Sequence, residues 1–123
     1  MTPTRRQPER AQQRAIVQLL RTVGCHVYVL GTTRRRGDHQ GTMQTPGIPD
    51  LYAILPGTGQ GGLWIEVKAP KGLMRPEQFQ FAMFCEVANV AYVVGGIDVV
   101  VAWLEMRGLL RSDQAFQQRR VGR

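Results

Sequence analysis

Apolar positions recur at helical spacing near the start of the chain. Within residues 8–23 (PERAQQRAIVQLLRTV), Ala11, Ala15, Ile16, Leu19, Leu20 and Val23 share one face, which predicts an amphipathic helix. Pro8 suits its first turn, Glu9 suits the positive end of its dipole, and Gly24 is placed to stop it. The period then changes. Residues 25–31 (CHVYVLG), 50–55 (DLYAIL), 63–68 (LWIEVK) and 91–94 (AYVV) are short runs rich in β-branched and aromatic side chains, and each predicts a strand. The glycine-rich PGTGQGG at 56–62 is a turn, so 50–68 reads as a hairpin. A second helix is expected from Pro76 to about Ala88, with Phe79, Ala82, Met83, Cys85 and Val87 as its apolar face. The run IDVVVAWLEMRGLL from Ile97 predicts a last helix that stops near Gly108. Valine is a poor helix former, so a strand over 97–102 stays open as the alternative. The expected order is α-β-β-β-α-β-α, an α/β domain whose mixed sheet is flanked by helices.

Two segments carry no such pattern. Residues 32–49 (TTRRRGDHQGTMQTPGIP) form a long polar loop, a kind of segment that in compact domains tends to serve function. Residues 111–123 form a basic polar tail, which leaves 1–110 as the single domain expected from 123 residues. No apolar run approaches the ~20 residues that span a bilayer, and no apolar stretch follows the basic N-terminus. A cytoplasmic protein is the expectation. Cys25 and Cys85 belong to no CxxC pair and are expected to be buried free thiols.

Charge adds a partner class. The net charge is +7, with arginine supplying all but Lys68 and Lys71 of the sixteen basic residues. Residues 1–41 carry +6 and 111–123 carry +3, whereas 42–110 carry −2. Basic ends rich in arginine suit bidentate contact with phosphates, so nucleic acid is the first partner to consider. A merely soluble basic surface is the alternative.

The candidate chemistry lies in two short segments, Gly47-Ile48-Pro49-Asp50 and Ile65-Glu66-Val67-Lys68. Strand alternation places Trp64, Glu66 and Lys68 on one face and Leu63, Ile65 and Val67 on the other. Two charges at the end of an apolar strand are costly to bury unless they are paired or bound to metal. An in-register hairpin brings Asp50 beside them, which gathers two carboxylates and an amine. Hydrolysis of a phosphodiester calls for such a set. Mg²⁺ prefers oxygen ligands, which Asp50, Glu66 and the backbone carbonyl of Val67 would supply. Lys68 would orient or help deprotonate water, or stabilise the developing charge.

Taken together, Pro49-Asp50 and Glu66-Val67-Lys68 resemble the PD-(D/E)XK nuclease signature. The wider pattern is similar to the VRR-NUC (virus-type replication-repair nuclease) branch. It includes Glu9 on the first helix, Gly47-Ile48-Pro49-Asp50-Leu51, Ile65-Glu66-Val67-Lys68, Gly72 and Gln78, across roughly residues 8–105. The resemblance implies a restriction-endonuclease-like core and Mg²⁺- or Mn²⁺-dependent cleavage of DNA, with Asp50, Glu66 and Val67 as metal ligands and Lys68 catalytic. It also implies that Glu9 reaches the metal and that Gln78 supports the site. Small free-standing members of this branch resemble Holliday-junction resolvases, so branched DNA and a homodimer are the implied partners.

Each assignment has a plainer competitor. Glu9 also reads as a helix-dipole partner, and Gln78 competes with Gln80. Arg34, Arg35, Arg36, Lys71 and Arg75 are the expected phosphate contacts, against a solvated loop. Trp64 is expected to line the site, Trp103 to join the core, His26 to be structural and His39 incidental. The rival functions are a nuclease on linear or flap DNA and a non-catalytic nucleic-acid-binding module.

Overall fold

In the computed structural model the described residues are 6–30 and 45–111, the side chains of 6–8 excepted. Arg34, Arg35, Arg36 and His39 lie outside them, as do residues 112–123 of the basic tail. The elements are α1 (Arg6–Val23), β1 (His26–Val29), β2 (Leu51–Ile54), β3 (Gly62–Val67), α2 (Pro76–Ala88), β4 (Tyr92–Gly95) and α3 (Ile97–Met106). This is the expected order. The chain enters α1 at Arg6 rather than at residue 8, with Pro8 in the first turn, where its missing N–H has no intrahelical partner to lose.

The four strands lie in the order β1-β2-β3-β4. β1 and β2 pair antiparallel, as do β2 and β3, whereas β3 and β4 run parallel. A parallel neighbour needs a crossover, and α2 supplies it. The fold is therefore α/β, with a mixed four-stranded sheet flanked by helices.

One face of the sheet holds the core. Leu51, Ala53, Leu63, Ile65, Val67 and Val93 point there and meet Ile16, Leu19 and Leu20 of α1 and Val100, Val101 and Leu104 of α3. Most of these side chains are fully buried, worth roughly 1.5–3 kcal/mol each in transfer terms. That burial explains why 97–106 is helical despite its valines: packing of one apolar stripe outweighs a propensity deficit of at most about 0.7 kcal/mol per residue.

α2 departs from the expected facing. Phe79, Met83 and Val87, read as its apolar face, are exposed at 56%, 62% and 86%. Cys85 is buried as expected, but the helix also turns Gln78 inward and lays Phe81 against Trp64 and Tyr92. Its polar inward anchor, Gln78, satisfies a charged group on β3, which no apolar period can reveal. Both cysteines are free and buried, and burial pushes both thiols up. Trp103 is partly buried at the margin of the core, with the Arg107 guanidinium over its ring at 4.7 Å. His26 is exposed on β1 rather than packed.

Candidate active site

The hairpin register decides where the charged residues meet. Leu51 pairs with Ile65, so one step further Asp50 stands opposite Glu66 on the same face. The Asp50 carboxylate takes up the ladder where the strand stops, its Oδ2 accepting the Val67 N–H at 2.8 Å. Along β3 the N–H groups of Trp64 and Lys68 go to β4, to Ala91 and Gly95 carbonyls. Alternation then turns the N–H and carbonyl of Val67 the other way, toward Asp50. That carbonyl is the third oxygen the sequence called for.

Gly47 and Pro49, both buried, set the approach to Asp50. Gly47 has φ +89°, and a Cβ there would collide with the Glu77 carbonyl in the first turn of α2. Only glycine lets this loop press against the start of α2. The contact ties the loop before Asp50 to the helix that carries Gln78.

Glu66 is 3% exposed, and its two oxygens have different surroundings. Oε2 accepts from Gln78 Nε2 at 2.9 Å and lies 3.6 Å from Lys68 Nζ. Oε1 is buried and accepts no hydrogen bond, and the two acids are close enough for a protonated Glu66 carboxyl to donate to Asp50. Burial first, and the Asp50 charge second, push the Glu66 carboxyl up to about 8. Burial also raises Asp50, against the Val67 N–H and the charges of Lys68 and Arg75, which favour its ionised form. Two desolvated acids side by side share a proton at neutral pH, and only added positive charge would let both ionise. A divalent cation would supply that charge, so the residues present fit the group the sequence implies.

Among the described residues no group of three or more His, Cys, Asp or Glu side chains is arranged to hold a metal. Two carboxylates and a carbonyl are nevertheless a sufficient protein contribution for Mg²⁺, which keeps several waters and takes oxygens from substrate phosphate. Glu9 stands slightly apart. Its Oε1 and the Cδ of Lys68 both lie within 3.3 Å of the point a Cβ at Gly72 would occupy, so the absence of a side chain at Gly72 leaves room for both.

The sequence-derived set thus divides. Asp50, Glu66, Val67, Lys68 and Gln78 converge, and Glu9 flanks Lys68. Arg75 sits at the N-cap of α2, exposed, with its charge felt at Asp50, and Lys71 is exposed in the loop after β3. Gln78 rather than Gln80 is the inward glutamine. Its Oε1 also accepts the Arg75 N–H at 2.8 Å, so one amide both starts α2 and fixes Glu66. Trp64 shares the face of Glu66 and packs between Tyr52 and Phe81.

Sequence reasoning passed over Gln12. Its Oε1 accepts the Ile97 N–H at 2.7 Å, which caps α3 from α1 and ties α1 to the end of β4. No local pattern marks it, because the group it caps lies 85 positions away. Comparison with protein-family models, curated proteins and solved structures gave no match to this chain. No described helix is long and apolar enough to cross a membrane.

Proposed function

We propose that this protein is a metal-dependent DNA endonuclease with a restriction-endonuclease-like core. Within that class the reading is a PD-(D/E)XK enzyme of VRR-NUC type that acts on branched DNA. The observation that carries it is the buried Asp50–Glu66 pair on neighbouring strands, with Lys68 two residues on and 3.6 Å from Glu66. A structural ion pair between Glu66 and Lys68 would not account for the second buried acid beside it.

Asp50, Glu66 and the Val67 carbonyl would hold Mg²⁺ or Mn²⁺, which supplies Lewis-acid neutralisation of charge on the phosphate oxygens. Lys68 Nζ, kept near Glu66 at 3.6 Å, is placed to orient the attacking water and to donate to a phosphate oxygen as negative charge grows there. Gln78 keeps Glu66 from swinging away. Arg75 and Lys71 meet neighbouring phosphates, which positions the strand without reading its sequence. Water oxygen forms the new bond to phosphorus as the ester oxygen leaves with a proton, and no covalent enzyme intermediate is called for.

A homodimer belongs to the same proposal, since paired cuts in a symmetric junction need two sites related by a twofold axis. α3 spends Val100, Val101 and Leu104 on the core, whereas α2 exposes Phe79, Met83, Phe84 and Val87. The test is cleavage of labelled four-way junction, flap and blunt duplex DNA in Mg²⁺ or Mn²⁺. Symmetric junction nicks support the reading, equal cutting of all three removes the structure selectivity, and binding without cutting in either metal leaves a binding module.

A further inference from the structure

The same sheet face that carries the acids carries a row of aromatic rings. Register sets Tyr28 opposite Tyr52, Tyr52 opposite Trp64 and Trp64 opposite Tyr92, one side chain from each strand. Direct partners project to one side, and two residues along the same strands come Asp50 and Glu66. The aromatic row therefore lies about 7 Å from the acidic pair, measured along the strands.

α2 covers only half of this row. Phe81 meets Trp64 at 5.2 Å and Tyr92 at 5.9 Å between ring centroids. Nothing comparable covers the other half among the described residues: Tyr28 is 50% exposed, and Tyr52 is half-buried with its ring 4.6 Å from Trp64. Gly62 makes room for the Tyr52 ring, because a Cβ there would collide with the Tyr52 hydroxyl. An exposed aromatic surface backed by packed rings, two residues along the strands from the acidic pair, suits an unpaired nucleobase next to a phosphate held at that pair.

We propose that Tyr28 and Tyr52 form a stacking platform for an unpaired nucleobase flanking the scissile phosphate, which selects DNA with a single-stranded or branched segment. The proposal rests on the nuclease reading for its substrate and adds the group that discriminates. Paired bases are already stacked in the duplex and cannot use the platform.

The test measures binding by the full chain in chelator, so that cleavage plays no part. Labelled forked DNA and blunt duplex of equal length are titrated with wild type, Tyr28→Ala and Tyr28→Phe. Tyr28 is exposed enough for truncation to leave the fold intact, and circular dichroism checks this. Tyr28→Ala is expected to weaken fork binding about tenfold and duplex binding less than about twofold, with Tyr28→Phe close to wild type. Equal loss on both DNAs, or no loss on the fork, overturns the platform. A changed molecular mass in Tyr28→Ala overturns it too, by assigning the face to a second copy of the chain. Wild type that binds forks through Tyr28 yet cuts nothing in Mg²⁺ or Mn²⁺ supports the platform and removes the nuclease reading. Cutting of forks that is indifferent to Tyr28 does the reverse.

Discussion

A single 2.9 Å hydrogen bond from Gln78 Nε2 to Glu66 Oε2 links the start of α2 to the acid that β3 carries into the site. The other end of the same amide holds the Arg75 N–H. Gln78→Ala removes both bonds at once and leaves a buried carboxylate oxygen with Lys68 alone. The expected cost is about 1–3 kcal/mol of stability and a ten- to hundredfold loss of cleavage. Thermal unfolding and single-turnover rates check the two parts separately.

Glu66 gives the protein a pH signature. Its carboxyl stands near 4.5 when unfolded and at about 8 when folded without metal. A raised acid pKa means the folded state holds the proton more tightly. The contribution to stability is therefore full below pH 4.5 and lost as pH rises toward about 8. Metal-free protein should melt at a lower temperature at pH 8.5 than at pH 5.5. Mg²⁺ should raise the melting temperature more at the higher pH, where Glu66 loses its proton readily. Glu66→Gln should flatten the pH dependence and remove the response to Mg²⁺. A calorimetric or fluorescence melt at the two pH values, with and without Mg²⁺, reads all three.

Gly47→Ala should be costly although it adds one methyl group. The position has φ +89°, and the new Cβ meets the Glu77 carbonyl. We expect about 2 kcal/mol or more of destabilisation, together with weaker cleavage, because the loop before Asp50 can no longer seat against α2. Gly59→Ala, at φ +78° with open space around it, is the control: backbone strain without collision, and no effect on cleavage. Denaturant melts and cleavage rates of the two variants provide the comparison.

The elements and the converging residues were legible because they follow short-range rules. Strand alternation put Glu66 and Lys68 on one face, and hairpin pairing predicted Asp50 beside them, as the register bears out. The facing of α2 was legible only at Cys85. Its inward side is chosen by Gln78 meeting Glu66 and by Phe81 meeting Trp64, both long-range contacts that leave no period in the sequence. Gln12 escaped notice for the same reason: its partner, Ile97, is 85 positions away. The aromatic row is spread one residue per strand, so it exists only once the register is known. The arginine triplet 34–36, expected from its charge to contact phosphate or else to form a solvated loop, falls outside the described residues.

The exposed side of α2 carries a prediction about assembly. Apolar stripes such as Phe79, Met83, Phe84 and Val87 mark association surfaces more often than they stay bare. In a homodimer built on this face, Met83→Glu with Val87→Glu should give a monomer by sedimentation while leaving the melting temperature within a few degrees. Nicking of a four-way junction should then lose its symmetry before it loses its rate on a single flap.

The central claim is that Asp50, Glu66 and Lys68 act together on a phosphodiester through one divalent ion. It is tested most directly by following cleavage of one labelled branched DNA by wild type, Asp50→Asn and Lys68→Ala, each in Mg²⁺, Mn²⁺ and chelator. The account predicts cutting by wild type in metal alone and loss of cutting in both variants. Asp50→Asn should keep or tighten its grip on DNA, because it removes a negative charge beside phosphate. Metal-independent cutting, or cutting undiminished in Lys68→Ala, would contradict it.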